Sequence, residues 1–193
     1  MQMPITPELV LAGYRQGIFP MADDDGTIYW FSPDPRTVFE FDRFHVPRTV
    51  RQLVSRKVFE IRINTAFDEV ISACAAGRRT WISSQIIELY QQLHRLGFAH
   101  SVEAWQGGCL AGGLYGVALG GAFFGESMFF RVSGASKVAL VALVERLKER
   151  GYTLLDTQWT TPHLARFGAV EIPRRTYLAR LRHALTLPCR FVP

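Results

Sequence analysis

The longest organised pattern of the chain runs from Leu110 to Gln158, where two mostly apolar runs precede an apolar-striped helix and a strand with a polar end, and the rest of the chain can be read outward from it. Residues 110–117 and 122–130 read as two strands joined by a turn at Leu119-Gly120-Gly121. From Ala135 to Arg150 the apolar residues Val138, Val141, Ala142 and Leu147 suit one helical stripe, and Gly151 is a C-terminal stop. Residues 152–158 read as a strand again. A strand, a helix and a strand at this length imply a parallel pair with a right-handed crossover. The helix N-terminus then lies beside the carboxyl ends of both strands, where open α/β sheets bind ligands and free amides favour an anion or a developing oxyanion.

The remaining elements follow in order. Thr6 can cap a helix that has Pro7 at its first position and stops at Gly17. The stretch 30–36 carries Pro33 and Pro35, so we expect an ordered loop with Trp30 and Phe31 in the core. A short strand is expected over 38–41, a helix opening at Pro47, a strand over 59–64 and helices over 67–76 and 84–96. A strand over 99–105, a short helix over 163–167, an edge strand over 170–173 and a last helix over 177–185 complete the reading. The expected class is α/β (α+β) with a mixed sheet. A soft boundary near Asn64 separates a small N-terminal unit, 1–63, from a larger one, 64–193.

Composition narrows the class. With 193 residues, 48% hydrophobic and 20% charged, the chain has ample core material for one domain or two. Glu126 and Arg131 interrupt the best candidate for a membrane span, and no basic flank precedes an apolar core at the start; a cytoplasmic protein is expected. Cys74, Cys109 and Cys189 are far apart, which suits free thiols and offers no metal spacing. The net charge of +5, 22 basic against 17 acidic residues, suits a polyanionic partner without requiring one.

Candidate chemistry sits where polar residues interrupt apolar strands. Glu126 lies in the most apolar strand, and burying it is costly unless it meets a partner. That partner is either a polar or cationic substrate group or a nearby arginine such as Arg131. Asp156 and Gln158 share one face of their strand; they line a site or cap a loop. Gly125 leaves room for something to approach the backbone. Arg48 and Arg51 share a helix face, either as phosphate contacts or as a solvated surface. Arg78 and Arg79 offer further phosphate contacts, and Trp81 a stacking surface. His100 reads as a structural histidine.

Several stretches match a known family when taken together and in order. They are Tyr14 to Pro20, Trp30 to Arg36, Thr80-Trp81-Ile82, His100 to Glu103, Phe124 to Phe129, Ala135-Ser136-Lys137, Asp156-Thr157-Gln158 and Ile172 to Arg175. On these the chain resembles the leucyl/phenylalanyl-tRNA protein transferase family, over nearly its whole length. The resemblance implies two domains, the larger with the acetyltransferase-like (GNAT) fold. It implies transfer of Leu or Phe, with Met a further candidate, from aminoacyl-tRNA to the α-amine of proteins beginning with Arg or Lys, which marks them for degradation. It implies no metal or cofactor, and a monomer.

By the same resemblance Gln158 binds the attacking amine or the carbonyl, Asp156 orients Gln158, and Glu126 helps hold donor and acceptor. The aminoacyl pocket falls on Leu114, Phe123, Gly125, Leu143 and Leu155. Trp81 stacks the terminal adenosine, and Arg48, Arg51 and Arg56 meet the acceptor stem. The chain departs from the pattern at Met21, where members of the family can carry an aromatic. The donor ester is already activated, so no ATP is needed, and the α-amine has an ordinary pKa of about 8 that leaves a useful neutral fraction. Two rivals differ in class. Arg131 to Ser136 approximates the pyrophosphate loop of an acyl-CoA-dependent N-acetyltransferase, and the positive charge suits a non-catalytic RNA-binding module.

Overall fold

The computed structural model describes residues 5–23, 25–76 and 80–193. Helix α1 (Pro7–Arg15) starts where the Thr6 hydroxyl accepts from the Leu9 amide at 3.3 Å. Strands β1 (Phe19–Ala22) and β2 (Ile28–Phe31) pair antiparallel as a separate hairpin. Then come β3 (Arg36–Phe39), α2 (Arg48–Ser55), β4 (Glu60–Ile63), α3 (Phe67–Ala75) and α4 (Ser84–Arg95). The strands β5 (Ala99–Gln106), β6 (Cys109–Leu119) and β7 (Ala122–Phe130) form a meander. Helix α5 (Ala135–Glu149), β8 (Leu154–Gln158), the one-turn α6 (Pro162–Ala165), β9 (Ala169–Ile172) and α7 (Arg174–Leu185) complete the chain.

Seven strands make one mostly antiparallel sheet in the order β4-β5-β6-β7-β8-β3-β9. The parallel pair is β7 with β8, bridged by α5 as the spacing of the two strands requires. One apolar cluster on the sheet includes Leu114, Phe123, Leu143 and Leu155 with the α5 residues. A second includes Tyr14, Phe67, Tyr90, Tyr115 and Phe124, from α1, α3, α4 and the strands between. Both β3 and β4 come from residues 1–63, so the sheet runs across the 63/64 position.

Three details differ from the expectation. Trp30 and Phe31 close strand β2, so the ordered loop expected over 30–36 is confined to residues 32–35. The partner strand of β2 tolerates Pro20 because a two-stranded ribbon leaves one edge of each strand without a ladder. Helix α7 begins at Arg174, three residues earlier, where the Arg174 amide donates to Asp34 Oδ1 at 3.0 Å. Strand β3 starts at Arg36 and is inserted between β8 and β9. That insertion sets the site.

The pairing of β7 with β8 covers only Ala122↔Leu154, Phe123↔Leu155 and Phe124↔Asp156. Beyond these, β7 continues to Phe130 while β8 ends at Gln158, and the two edges part. Gly125 stands at the parting; a Cβ there would lie 3.4 Å from the Asp156 carbonyl oxygen.

Candidate active site

A cavity of about 440 Å³ opens between the parted strands. Its apolar wall includes Leu114, Met128, Leu140, Leu143, Leu155 and Leu164. Glu126, Gln158 and Ser127 supply polar groups, and Trp81, Met21 and Trp159 are its large side chains from outside the central strands. An apolar cavity of about 150 Å³ already holds a benzene-sized group, so this one has room for a leucine or phenylalanine side chain and more.

Glu126 is largely buried and bonded. Tyr14 donates to its Oε1 at 2.6 Å, and Gln158 Nε2 donates to the same oxygen at 3.1 Å. The Tyr14 and Tyr90 hydroxyl oxygens are 2.5 Å apart, and Tyr90 stands 3.4 Å from Glu126 Oε2. Each phenol has one proton, so with Tyr14 donating to Glu126, Tyr90 donates to Tyr14. A proton on Oε2 can then bond the Tyr90 oxygen and close the ring. Burial pushes the Glu126 carboxyl up to about 7, and Asp156 adds to the rise, against the bonds from Tyr14 and Gln158 and the charge of Arg36. Burial, then the Glu126 charge, holds both phenols well above their ordinary range, so they stay protonated.

Asp156 has a different environment. It is fully buried and receives two bonds from Arg36, Nε at 2.9 Å and Nη2 at 2.6 Å. Tyr177 donates to it at 2.8 Å, and so does the backbone amide of Gln158 at 2.9 Å. Arg36 is itself buried, stacks on the rings of Phe19 at 4.8 Å and Tyr177 at 4.4 Å, and donates to the Gly17 carbonyl at 3.1 Å. The bidentate pair is thus the well-bonded kind of buried ion pair. Asp156 therefore reaches Gln158 through the main chain. It braces a residue held at φ +68°, a left-handed conformation that Gln seldom adopts. The outcome is a Gln158 side chain aimed at Glu126.

Of the expected pocket residues, Leu114, Gly125, Leu143 and Leu155 line the cavity. Phe123 does not: it is fully buried, with its ring against Gly116 and 5.2 Å from the Phe191 ring. Trp81 and Met21 both line the cavity and belong to joined segments, the Ala22 amide donating to the Trp81 carbonyl at 3.1 Å. Arg48, Arg51 and Arg56 are exposed on or at the end of α2, outside the cavity lining. Helix α2 packs against α5, which supplies Leu140 and Leu143. Arg78 and Arg79 lie outside the described residues. Arg131 pairs with Glu69 at 2.7 Å and not with Glu126. His100 is buried against Phe191 and pushed down to about 4 by burial, so it is a neutral packing residue.

The sequence reading missed four side chains. Tyr14 and Arg36 lay inside stretches quoted for the resemblance, but nothing local linked them to Glu126 or Asp156. Tyr90 sits on the buried stripe of α4 and Tyr177 on that of α7, where each looks like ordinary core. Only the packing of α1, α4 and α7 onto the sheet, and the insertion of β3 within it, assign them.

An apolar sleeve ending at a proton-poised carboxylate and a fixed amide is the layout of a group-transfer enzyme rather than of a binding surface. Comparison with known proteins specifies which. Residues 38–182 match the model of the leucyl/phenylalanyl-tRNA protein transferase family, and residues 3–34 match that of its N-terminal domain. The chain is 57% identical over 192 residues to the leucyl/phenylalanyl-tRNA protein transferase of Gloeobacter violaceus, covering 99% of this chain and 100% of that one. It is 56% identical over 188 residues to that of Herpetosiphon aurantiacus, covering 97% and 98%. The chain belongs to this family. A functionally unknown conserved protein from Staphylococcus epidermidis superposes with a TM-score of 0.48 at 10% identity, over 72% of this chain and 57% of that one.

Proposed function

We propose that the protein is an aminoacyltransferase that moves Leu or Phe, and Met as a further donor, from aminoacyl-tRNA to the α-amine of proteins beginning with Arg or Lys. The supporting observation is the sleeve of Leu114, Met128, Leu140, Leu143 and Leu155 opening directly onto Glu126 and Gln158. The acyl side chain fills the sleeve, which places the ester carbonyl at the polar end. Side chains that are not branched at Cβ, Leu, Met and Phe among them, suit the sleeve better than β-branched ones, at about 1–3 kcal/mol per misplaced methylene.

The neutral amine attacks the ester carbon, forming the C–N bond as the C–O bond to the ribose breaks. The amine's proton leaves as the ribose oxygen gains one. Gln158 commits its Nε2 to Glu126, which leaves its carbonyl oxygen to accept an N–H of the incoming amine. An amide is no base, so Gln158 aligns and does not deprotonate. Asp156, tied to Arg36, fixes that alignment through the Gln158 backbone. Glu126 holds the amide in place and helps hold donor and acceptor together. Trp81 with Met21 seats the terminal adenosine, and Arg48, Arg51 and Arg56 meet the acceptor stem. Gly125 lets the donor approach, and Phe123 supports the wall from behind.

The parallel β7–α5–β8 unit with its parted edges supports an acetyltransferase-like (GNAT) assignment for the larger part of the chain. We place the enzyme, as a monomer, in the cytoplasm, where charged tRNA is found. Among the described residues no helix is long and apolar enough to cross a membrane. The acceptor proteins are marked for degradation by the added residue. The test is transfer of labelled Leu from charged tRNA to an Arg-starting peptide, run beside Phe and Met donors. No transfer would remove the reading, and micromolar CoA affinity would favour an acyl-CoA N-acetyltransferase.

A further inference from the structure

The proposed reaction demands that an N-terminal Arg or Lys be told from a neutral residue. A free carboxylate would be the ordinary recognition group. Among the described residues that line the cavity, Glu126 is the sole acid, and it is already bonded to Tyr14 and Gln158. Asp156, behind it, is neutralised by Arg36.

Trp159 answers differently. It follows Gln158 directly, lines the same cavity and is 41% exposed. Its indole is held by two nearly perpendicular rings, Phe19 at 5.2 Å and 85° and Phe31 at 5.9 Å and 72°. An exposed tryptophan braced in place at the mouth of a site is a preorganised aromatic surface. No Lys or Arg is among the described lining residues, although the chain carries 22, so a cation entering there meets no like charge in the wall. The one basic side chain among the described lining residues, His163, is pushed down by burial and then by Lys137 and Arg166, which favours its neutral form.

We propose that Trp159 reads the acceptor's first residue, its indole taking the guanidinium of Arg or the ammonium of Lys as a cation–π partner while Gln158 holds the α-amine. The inference rests on the transfer reaction proposed above. Gln158 and the next residue, Trp159, both line the cavity, so the flexible stem of Arg or Lys can span from an α-amine at one to a charged head at the other, and a cation within about 6 Å of a ring centroid is attracted to its face. Arg and Lys share only the charge and the flexible stem, and an aromatic face accepts both without the geometry that a carboxylate fork would impose.

The test is steady-state transfer from Leu-tRNA to peptides beginning with Arg, Lys or norleucine, the last an uncharged match to Lys. Trp159→Leu should raise KM for the Arg and Lys peptides about five- to thirtyfold. It should cut the preference for the Lys over the norleucine peptide by the same factor, a ratio that a general loss of the cavity would not move. Trp159→Phe, which keeps an aromatic face and serves as the folding control by thermal melt, should stay within about threefold of wild type. Equal losses on Lys and norleucine peptides, a shift confined to Leu-tRNA, or no shift in Trp159→Leu would each overturn the role. A wild-type enzyme inactive on every peptide would instead remove the transfer reading itself, which separates the two failures.

Discussion

Replacing Glu126 by Gln tests the electrostatics of the site through protein stability alone. The carboxyl titrates at about 7 in the folded protein and at the ordinary glutamate value of 4.5 when unfolded. Between those values the folded state holds the proton that the unfolded state has released, so stability falls as pH rises through the window. The difference corresponds to at most about 3 kcal/mol by pH 8, since each pKa unit is worth about 1.4 kcal/mol. Gln has nearly the same shape and can still accept from Tyr14, but it never ionises. Below about pH 4.5 the variant should therefore match wild type or be slightly weaker. Above pH 7 it should be more stable, by up to about 6–12 °C in Tm at 2–4 °C per kcal/mol for a chain of this size. The assay is urea or thermal unfolding of both proteins at half-unit steps from pH 4.5 to 8.5. Two curves that run parallel across the window would show that Glu126 is not held protonated by the fold, and the ring with Tyr14 and Tyr90 would lose its rationale.

Three further outcomes are expected. Gln158→Ala should lower the transfer turnover about a hundredfold while tRNA affinity is kept. Gln158→Asn, which tolerates the left-handed backbone, should retain Tm yet fail to restore the rate because its amide falls short; wild-type turnover in either would take Gln158 out of the reaction. Arg36→Leu should destabilise by about 3–5 kcal/mol in urea unfolding, because Asp156 is left buried and unpaired, and a loss under about 1 kcal/mol would contradict the ion pair. Arg48→Ala combined with Arg51→Ala should weaken tRNA binding and reduce the slope of log Kd against log salt by about 1 for each phosphate no longer neutralised. An unchanged slope would move the RNA track off α2.

Much of the local structure was legible because it depends on neighbours in the chain. The 110–158 pattern foretold β6, β7, α5 and β8, and Thr6, Gly17 and Gly151 marked helix ends, the two glycines at φ +78° and +76°. Glu126 stood out as a carboxylate among aromatics, and Gln158 as an amide at a strand end. Their environment was not legible. The apolar run that flags Glu126 is equally compatible with a partner at Arg131, whereas packing gives it two phenols from α1 and α4.

Sequence alone decided most of the strands and helices, several of their ends, and which polar residues interrupt apolar runs, since propensity, period and capping act over a few residues; β2 and the starts of β3 and α7 depended on packing. Tertiary structure alone decided the charges. Strand β3 slides between β8 and β9, which lie more than a hundred residues further along the chain, and carries Arg36 to Asp156, whose bond to the Gln158 amide braces the glutamine that reaches Glu126. A pKa near 7 or a left-handed glutamine exists only once the water has gone and the distant partners have arrived, because both arise from desolvation and contact rather than from the order of residues.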